Sequence, residues 1–214
     1  MQNKTILSSI LLTSLFFNFH AIAEGDVGFL NIINGAGKPV ALSINGAEAN
    51  PSFAHGAMTG GLVVPAGSAR ISAKIEGLKD ESEPLKIEKD KSNLAVILVE
   101  PNQAEPPEEV IKIEPLDYKI RDVEGYSAGL IYVGSSNSTT ITTTSGQIFL
   151  KKYKYQDMGK VTSHFAFRAG DSSSFVAEFR EPLHYTLVLL DGSKNGRSNV
   201  VVVPHVVFSK PTFD

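Results

Sequence analysis

The sequence predicts an all-β fold: two tandem antiparallel β-sandwich domains of immunoglobulin-like size, related by internal duplication. Three observations carry this. Short runs of period-2 apolar alternation recur along the chain with glycine turns between them. No stretch sustains the apolar spacing of 3, 4 and 7 that a buried helix requires. The stretch 28–46 also returns in outline at 129–146.

In the first half, residues 27–33 are β-prone and end at Asn34-Gly35-Ala36-Gly37. Val40, Leu42 and Ile44 alternate with small residues, as in a half-buried strand. Asn45-Gly46 is a hairpin signal, because a type I′ turn needs positive φ at both central residues. Residues 62–64 form a short strand ending at Pro65-Ala66-Gly67, and Ile71, Ala73 and Ile75 share one face of the next. Leu85 and Ile87 mark a short exposed strand inside a charged segment. Residues 94–99 are apolar without a break, which predicts a strand buried on both faces.

The run 101–109 then holds Pro101, Pro106, Pro107 and three glutamates. Proline fixes φ and removes donors, so the segment 101–117, with its short strand at 110–113, is read as a stiff linker. The expected organisation is a signal peptide at 1–23, a first β-sandwich at 24–100, the linker at 101–117 and a second β-sandwich at 118–214.

The second half is expected to match the first landmark by landmark. Residues 127–133 match the first strand, 139–144 the second, and Ser145-Gly146 stands for Asn45-Gly46. A strand is expected over 148–155. Phe165, Phe167 and Ala169-Gly170 are paired with Val63, Val64 and Ala66-Gly67. Phe175, Ala177 and Phe179 are paired with Ile71, Ala73 and Ile75, and 185–190 with 94–99. Asp191-Gly192 and Asn195-Gly196 bracket a turn before the last strands at 200–203 and 206–208.

Composition narrows the setting. Lys4 precedes an uncharged apolar stretch, 6–19, and Ala21-Ile22-Ala23 is a cleavage site of the small-x-small kind. That pattern predicts export to the periplasm or beyond, with no transmembrane segment after cleavage. There is no cysteine, so each domain must rest on an apolar core rather than on disulfides. Residues 24–117 hold 8 basic and 15 acidic side chains; residues 118–214 hold 11 and 8. A weakly acidic whole argues against a nucleic-acid partner. The split lets the halves attract each other, or lets the second half meet an anionic partner.

No catalytic motif survives inspection. Gly170-Asp171-Ser172 resembles the nucleophile block of the Gly-Asp-Ser esterases, but no Asp-x-x-His follows it, and a turn explains it better. Gly35-Ala36-Gly37-Lys38 lacks the spacing of a phosphate loop, and Pro39 stands where Ser or Thr is needed. His55, His164, His184 and His205 have no local metal spacing, and Asp191 to Gly196 lacks the acids of a calcium loop. No metal and no cofactor are expected. Asn137-Ser138-Thr139 is a glycosylation sequon in hosts with an endoplasmic reticulum.

The chemistry-bearing cluster is Lys151-Lys152-Tyr153-Lys154-Tyr155. On a strand, Lys151, Tyr153 and Tyr155 share one face, and Lys152 and Lys154 the other. Aromatic rings stack on sugars and ammonium groups pair with carboxylates, so the cluster suits a sugar polymer. Equally, lysines on an edge strand block sheet-to-sheet aggregation.

Leu30-Asn31-Ile32, Ile44-Asn45-Gly46, Pro65-Ala66-Gly67 and the alternating strand at 70–75 resemble a family of exported immunoglobulin-like domains of unknown function. The signal, the length, the two β domains and Glu105-Pro106-Pro107-Glu108 are similar, more loosely, to the periplasmic accessory proteins of alginate O-acetylation. That resemblance implies a non-catalytic role, binding polymer or bridging acetyltransferase components. The expectation is a non-enzymatic envelope protein whose partners are envelope proteins or anionic polysaccharide. Two alternatives stand beside it: a structural or adhesive module, and a hydrolase or transferase assembled from His164, His184, Asp171 and Ser172.

Overall fold

The computed structural model describes residues 26–80, 82–120, 124–169, 173–191 and 199–205. The expected signal at 1–23, the Gly170-Asp171-Ser172 motif, Gly192, the Asn195-Gly196 turn and the strand at 206–208 lie outside the described residues. The described chain is all-β, with eighteen strands and no helix.

The first half supplies β1 (Val27–Asn34), β2 (Val40–Ile44), β3 (Ala47–Phe53), β4 (Leu62–Pro65), β5 (Gly67–Ala69), β6 (Ile71–Lys74), β7 (Lys79–Asp80), β8 (Leu85–Ile87), β9 (Ser92–Pro101) and β10 (Glu109–Pro115). One sheet runs β4-β1-β9-β10-β7; β3-β2-β6 and β5-β8 form two smaller ones. The second half supplies β11 (Ser127–Val133), β12 (Ser138–Thr143), β13 (Gly146–Lys151), β14 (Tyr155–Lys160), β15 (His164–Ala169), β16 (Ser173–Glu178), β17 (His184–Leu190) and β18 (Asn199–His205). Its sheets run β14-β11-β17-β18 and β13-β12-β15-β16.

The order β14-β11-β17-β18 repeats β4-β1-β9-β10, strand direction included. These sheets are mixed, not antiparallel as expected: in each set the central pair is parallel and the outer pairs antiparallel. Strand pairing therefore corrects the expected matches. β4 pairs with β1 as β14 pairs with β11, so 62–65 matches 155–160 rather than Phe165 and Phe167. β15 pairs with β12 as β6 pairs with β2, so Phe167 takes the place of Ile71, not of Val64. Apolar alternation looks the same on any half-buried strand; only hydrogen-bond partners distinguish one from another.

Two turns show how local chemistry acts. Asn45 and Gly46 have φ of 50° and 83°, and the Asn45 side-chain oxygen accepts from the Arg70 N–H at 2.9 Å. In the second hairpin, Thr143 pairs with Gly146, so the turn is Thr144-Ser145, one residue earlier than expected. The Pro/Glu run is not an extended linker. Pro101 ends β9, Glu109–Pro115 pairs antiparallel with it, and residues 102–108 are a hairpin loop. Asn102 closes that loop, its side-chain oxygen accepting from the N–H groups of Ala104 (3.1 Å) and Glu108 (3.0 Å). The prolines within 102–108 withdraw donors only from loop positions, so the strands on either side still pair.

Three apolar cores follow. Leu30, Ile32, Ala95 and Ile97 face Val40, Leu42, Ile71 and Ile87 in the first. Leu130, Leu187 and Leu189 face Ile141, Leu150 and Phe167 in the second. The third joins the halves: Ile33, Leu94, Val96 and Leu98 pack with Ile131, Val133, Val188, Leu190, Val201 and Val203. It explains the unbroken apolar run of β9, buried from Leu94 to Leu98, and the burial of every residue of β11 and β17. Each fully buried Leu, Ile or Val contributes roughly 1.5–3 kcal/mol, so this shared core outweighs the polar contacts around it.

Candidate functional site

The Lys-Tyr segment is not one strand. β13 ends at Lys151, Lys152 makes a single bridge to Tyr132, and Tyr153 turns the chain with a φ of 59° before β14 begins at Tyr155. The expected strand over 148–155 and its two faces are thus replaced by a corner. Positive φ is rare for a bulky residue and persists only where neighbours over-determine it. Here the Tyr153 N–H donates to the Tyr132 carbonyl at 2.9 Å, and the Lys152 N–H to the Asn137 carbonyl at 2.9 Å. The Tyr153 hydroxyl donates to Glu100 Oε1 at 2.7 Å.

Glu100 belongs to the first half, so this corner is a joint. Lys152 Nζ lies 2.6 Å from the same Glu100 oxygen, with side-chain exposures of 19% and 24%, and 4.8 Å from the Tyr153 ring centre. Burial pushes the Glu100 carboxyl up. The hydrogen bonds from Lys152 and Tyr153, with the charges of Lys152 and Lys112, outweigh that and hold it below the usual carboxylate range. Burial, then the bond to Glu100, drives the Tyr153 phenol far upward, so it stays a neutral donor.

Tyr155 turns inward as well. Its hydroxyl lies 3.0 Å from His184 Nε2, and Ser127 Oγ lies 2.7 Å from His184 Nδ1. His205 Nε2 lies 2.8 Å from Thr186 Oγ1, and its ring stacks on Tyr118 at 4.3 Å and faces His184 at 5.6 Å. Burial, then the His184 ring, lowers the His205 pKa to about 3. These groups form a polar island at one end of the apolar contact between the halves. The Ser127–His184 contact has the geometry of a nucleophile and its base, and it was missed in the sequence because its members lie 57 residues apart. Ser127 is 0% exposed and His184 3%, so the Oγ is closed to solvent and substrate in this structure. Of the other hydrolase set, His164 is exposed on β15 and His184 is buried on β17, in a different sheet, while Asp171 and Ser172 lie outside the described residues. Among the described residues, no three His, Asp or Glu side chains gather to hold a metal ion.

Of the five cluster residues, Lys151 and Lys154 stay exposed. With Asn137, Ser138 and Phe149 they border an open cleft of about 600 Å³. Phe149, absent from the sequence reading, is 59% exposed. It was legible only as the outward residue of the alternation Gln147, Phe149, Lys151. The same face of the β13-β12-β15-β16 sheet carries Thr140 opposite Phe149, and Thr142 between Gln147 and Arg168. Ile141, Leu150 and Phe167 point the other way, into the core. Among the described residues, Lys151, Lys154 and Arg168 have no ion-pair partner. A second cleft, about 680 Å³, lies where the halves meet between Gly35, Gly134, Glu100, Lys152 and Asp191. Its charged groups are engaged: Asp191 accepts from the Ser135 hydroxyl at 2.7 Å and from Tyr132 at 3.1 Å. Comparison with protein-family models and with curated proteins finds no match for the chain.

Proposed function

We propose that the protein is an exported, non-enzymatic binding protein of the bacterial envelope, built as two tandem immunoglobulin-like β-sandwich domains related by duplication. Its second half holds an acidic polysaccharide at the cleft between Lys151, Lys154 and Phe149. The observation that carries this is an exposed ring flanked by two ammonium groups that no described carboxylate neutralises. A ring face takes the apolar face of a sugar, and the ammonium groups pair with its acid groups. The sealed Ser127–His184 pair favours binding over turnover. The matching strand orders support duplication.

The test is binding of the mature chain to acidic and neutral polysaccharides at low and raised salt, beside the double variant Lys151→Gln, Lys154→Gln. Each exposed ion pair contributes about 0.2–1 kcal/mol, so the variant should bind several-fold more weakly and lose its salt dependence. Equal binding by both proteins would move the site elsewhere.

A further inference from the structure

We infer that the binding surface continues past the lysine cleft, across the outer face of β13, β12 and β15, with Arg168 as a second subsite for an anionic group. The ligand it fits is an extended chain of carboxylate-bearing sugars lying diagonally over β13, β12 and β15. This rests on the reading of the lysine cleft given above.

The argument is one of register. Ser138 pairs with Lys151, Thr140 with Phe149, and Thr142 with Gln147 on one side and Arg168 on the other. These side chains share the outward face, and Phe149, Thr140, Thr142 and Arg168 are all exposed. Crossing from Lys151 to Arg168 spans two strand spacings and four residues along β12. With strands about 4.8 Å apart and a rise of about 3.4 Å per residue, the two backbone positions stand roughly 16 Å apart. A single sugar cannot touch both cations; a chain can. Between them lie the Phe149 ring and the hydroxyls of Thr140 and Thr142, a stacking surface followed by hydrogen-bonding groups.

Charge selects the occupant. Within these four strands the one described carboxylate is Glu178, paired with His164 at the far end of β15 and β16. The path from Lys151 to Arg168 is thus cationic at both ends and carries no described acid. The guanidinium of Arg168 presents a planar fork that donates two parallel hydrogen bonds to a carboxylate, which a lysine cannot do. The matching face of the first half has no such path. Glu48 and Ser72 flank Ser43 there, and Lys74 faces Ala41.

The test uses the mature chain and uronic-acid oligomers of two, four, six and eight sugars, with affinity measured by calorimetry. A sulfated polysaccharide, a neutral glucan and anionic lipid vesicles are run beside them. In the wild type, affinity should rise with length until both subsites are filled. Arg168→Gln should cancel most of that rise, weakening the longest oligomer at least three-fold, whereas Lys151→Gln with Lys154→Gln weakens every length. Lys160→Gln removes one charge from β14, in the other sheet, and should alter nothing. Circular dichroism and melting temperature confirm that each variant is folded. If Arg168→Gln leaves the length dependence intact while the lysine variant still weakens binding, the second subsite is overturned and the cleft stands. If no oligomer of any length binds, the cleft falls too. Equal, Arg168-dependent binding of the sulfated polymer or the vesicles would overturn the carboxylate-bearing sugar as the ligand.

Discussion

The two halves repeat one strand order but present different outer faces. In the first half, β3-β2-β6 shows Glu48, Ser43, Ser72, Ala41 and Lys74: small side chains and mixed charge. In the second, β13-β12-β15-β16 shows Phe149, Thr140, Thr142, Arg168 and Lys151. The inner sheets do the reverse of differing. β1 and β9 turn Ile33, Leu94 and Val96 toward Ile131, Val133 and Val188 of β11 and β17, like against like. Apolar faces that meet each other are constrained by packing, while a face left to solvent is free to acquire a ligand. The two halves therefore differ most on their outer faces.

The strongest way to break that comparison is to attack the shared core. Ile131 is 0% exposed and packs between the halves. Ile131→Ala leaves a cavity and should cost about 2–5 kcal/mol. Because the third core belongs to both halves, unfolding should remain a single transition seen equally by probes in either half. Two separated transitions in the wild type would show that the halves stand alone and that this core contributes little.

Acid should weaken the same contact from its polar end. His205 has a folded pKa of about 3 against an ordinary 6.5, so between those values the unfolded chain binds a proton that the folded chain refuses. Stability is complete above about pH 6.5 and falls as the pH drops toward 3, because the lowered group is buried neutral. At pH 4.5 the loss is about 2–3 kcal/mol. His205→Phe keeps a ring against Tyr118 and should flatten the dependence of melting temperature on pH between 7.5 and 4.5. An unchanged slope would place the acid sensitivity elsewhere.

Gly129 sharpens the comparison at one residue. A Cβ there would come within 2.1 Å of the Tyr155 ring, which lies across the strand to reach His184. Gly129→Ala must displace the ring or break that bond, an overpacking cost of about 1–3 kcal/mol. On the corresponding face of β1, Phe29, Asn31 and Ile33 all carry side chains, so no position there is kept open as Gly129 is. A Gly129→Ala protein with the wild-type melting temperature would mean that Tyr155 is free to move.

How far the sequence foretold this depends on the range of each interaction. The Asn45-Gly46 turn was legible because its cause, positive φ at two neighbours, is local. The unbroken apolar run of β9 announced burial on both faces. It could not name the covering surface, since β11 and β17 lie far along the chain. The Lys-Tyr cluster failed for the same reason. Alternation predicts a strand there, but Glu100, 53 residues before Tyr153, draws Lys152 and Tyr153 out of it into a corner. The Pro/Glu run misled because proline in a hairpin loop and proline in a linker have the same composition; only the pairing of β9 with β10 separates them. Ser127 and His184 meet through the register of a parallel pair, which no local pattern encodes.

The smallest effect on stability should fall at the residues assigned the largest effect on binding. Lys151 is exposed at the end of β13 and pairs across the sheet with Ser138. Lys151→Gln removes the charge but leaves a polar side chain at an exposed position, so stability should change by no more than about 0.5 kcal/mol. Lys152→Gln differs although it is the next residue, because it strips a half-buried Glu100 of its cation. That change should cost about 1–3 kcal/mol and return the Glu100 carboxyl toward its ordinary range. Denaturant unfolding of the two variants, read beside their affinity for an acidic polymer, separates the solvent-facing lysine from the one that ties the halves together. If Lys151→Gln proves the more destabilising of the two, the division of this cluster into a joint and a binding surface is wrong.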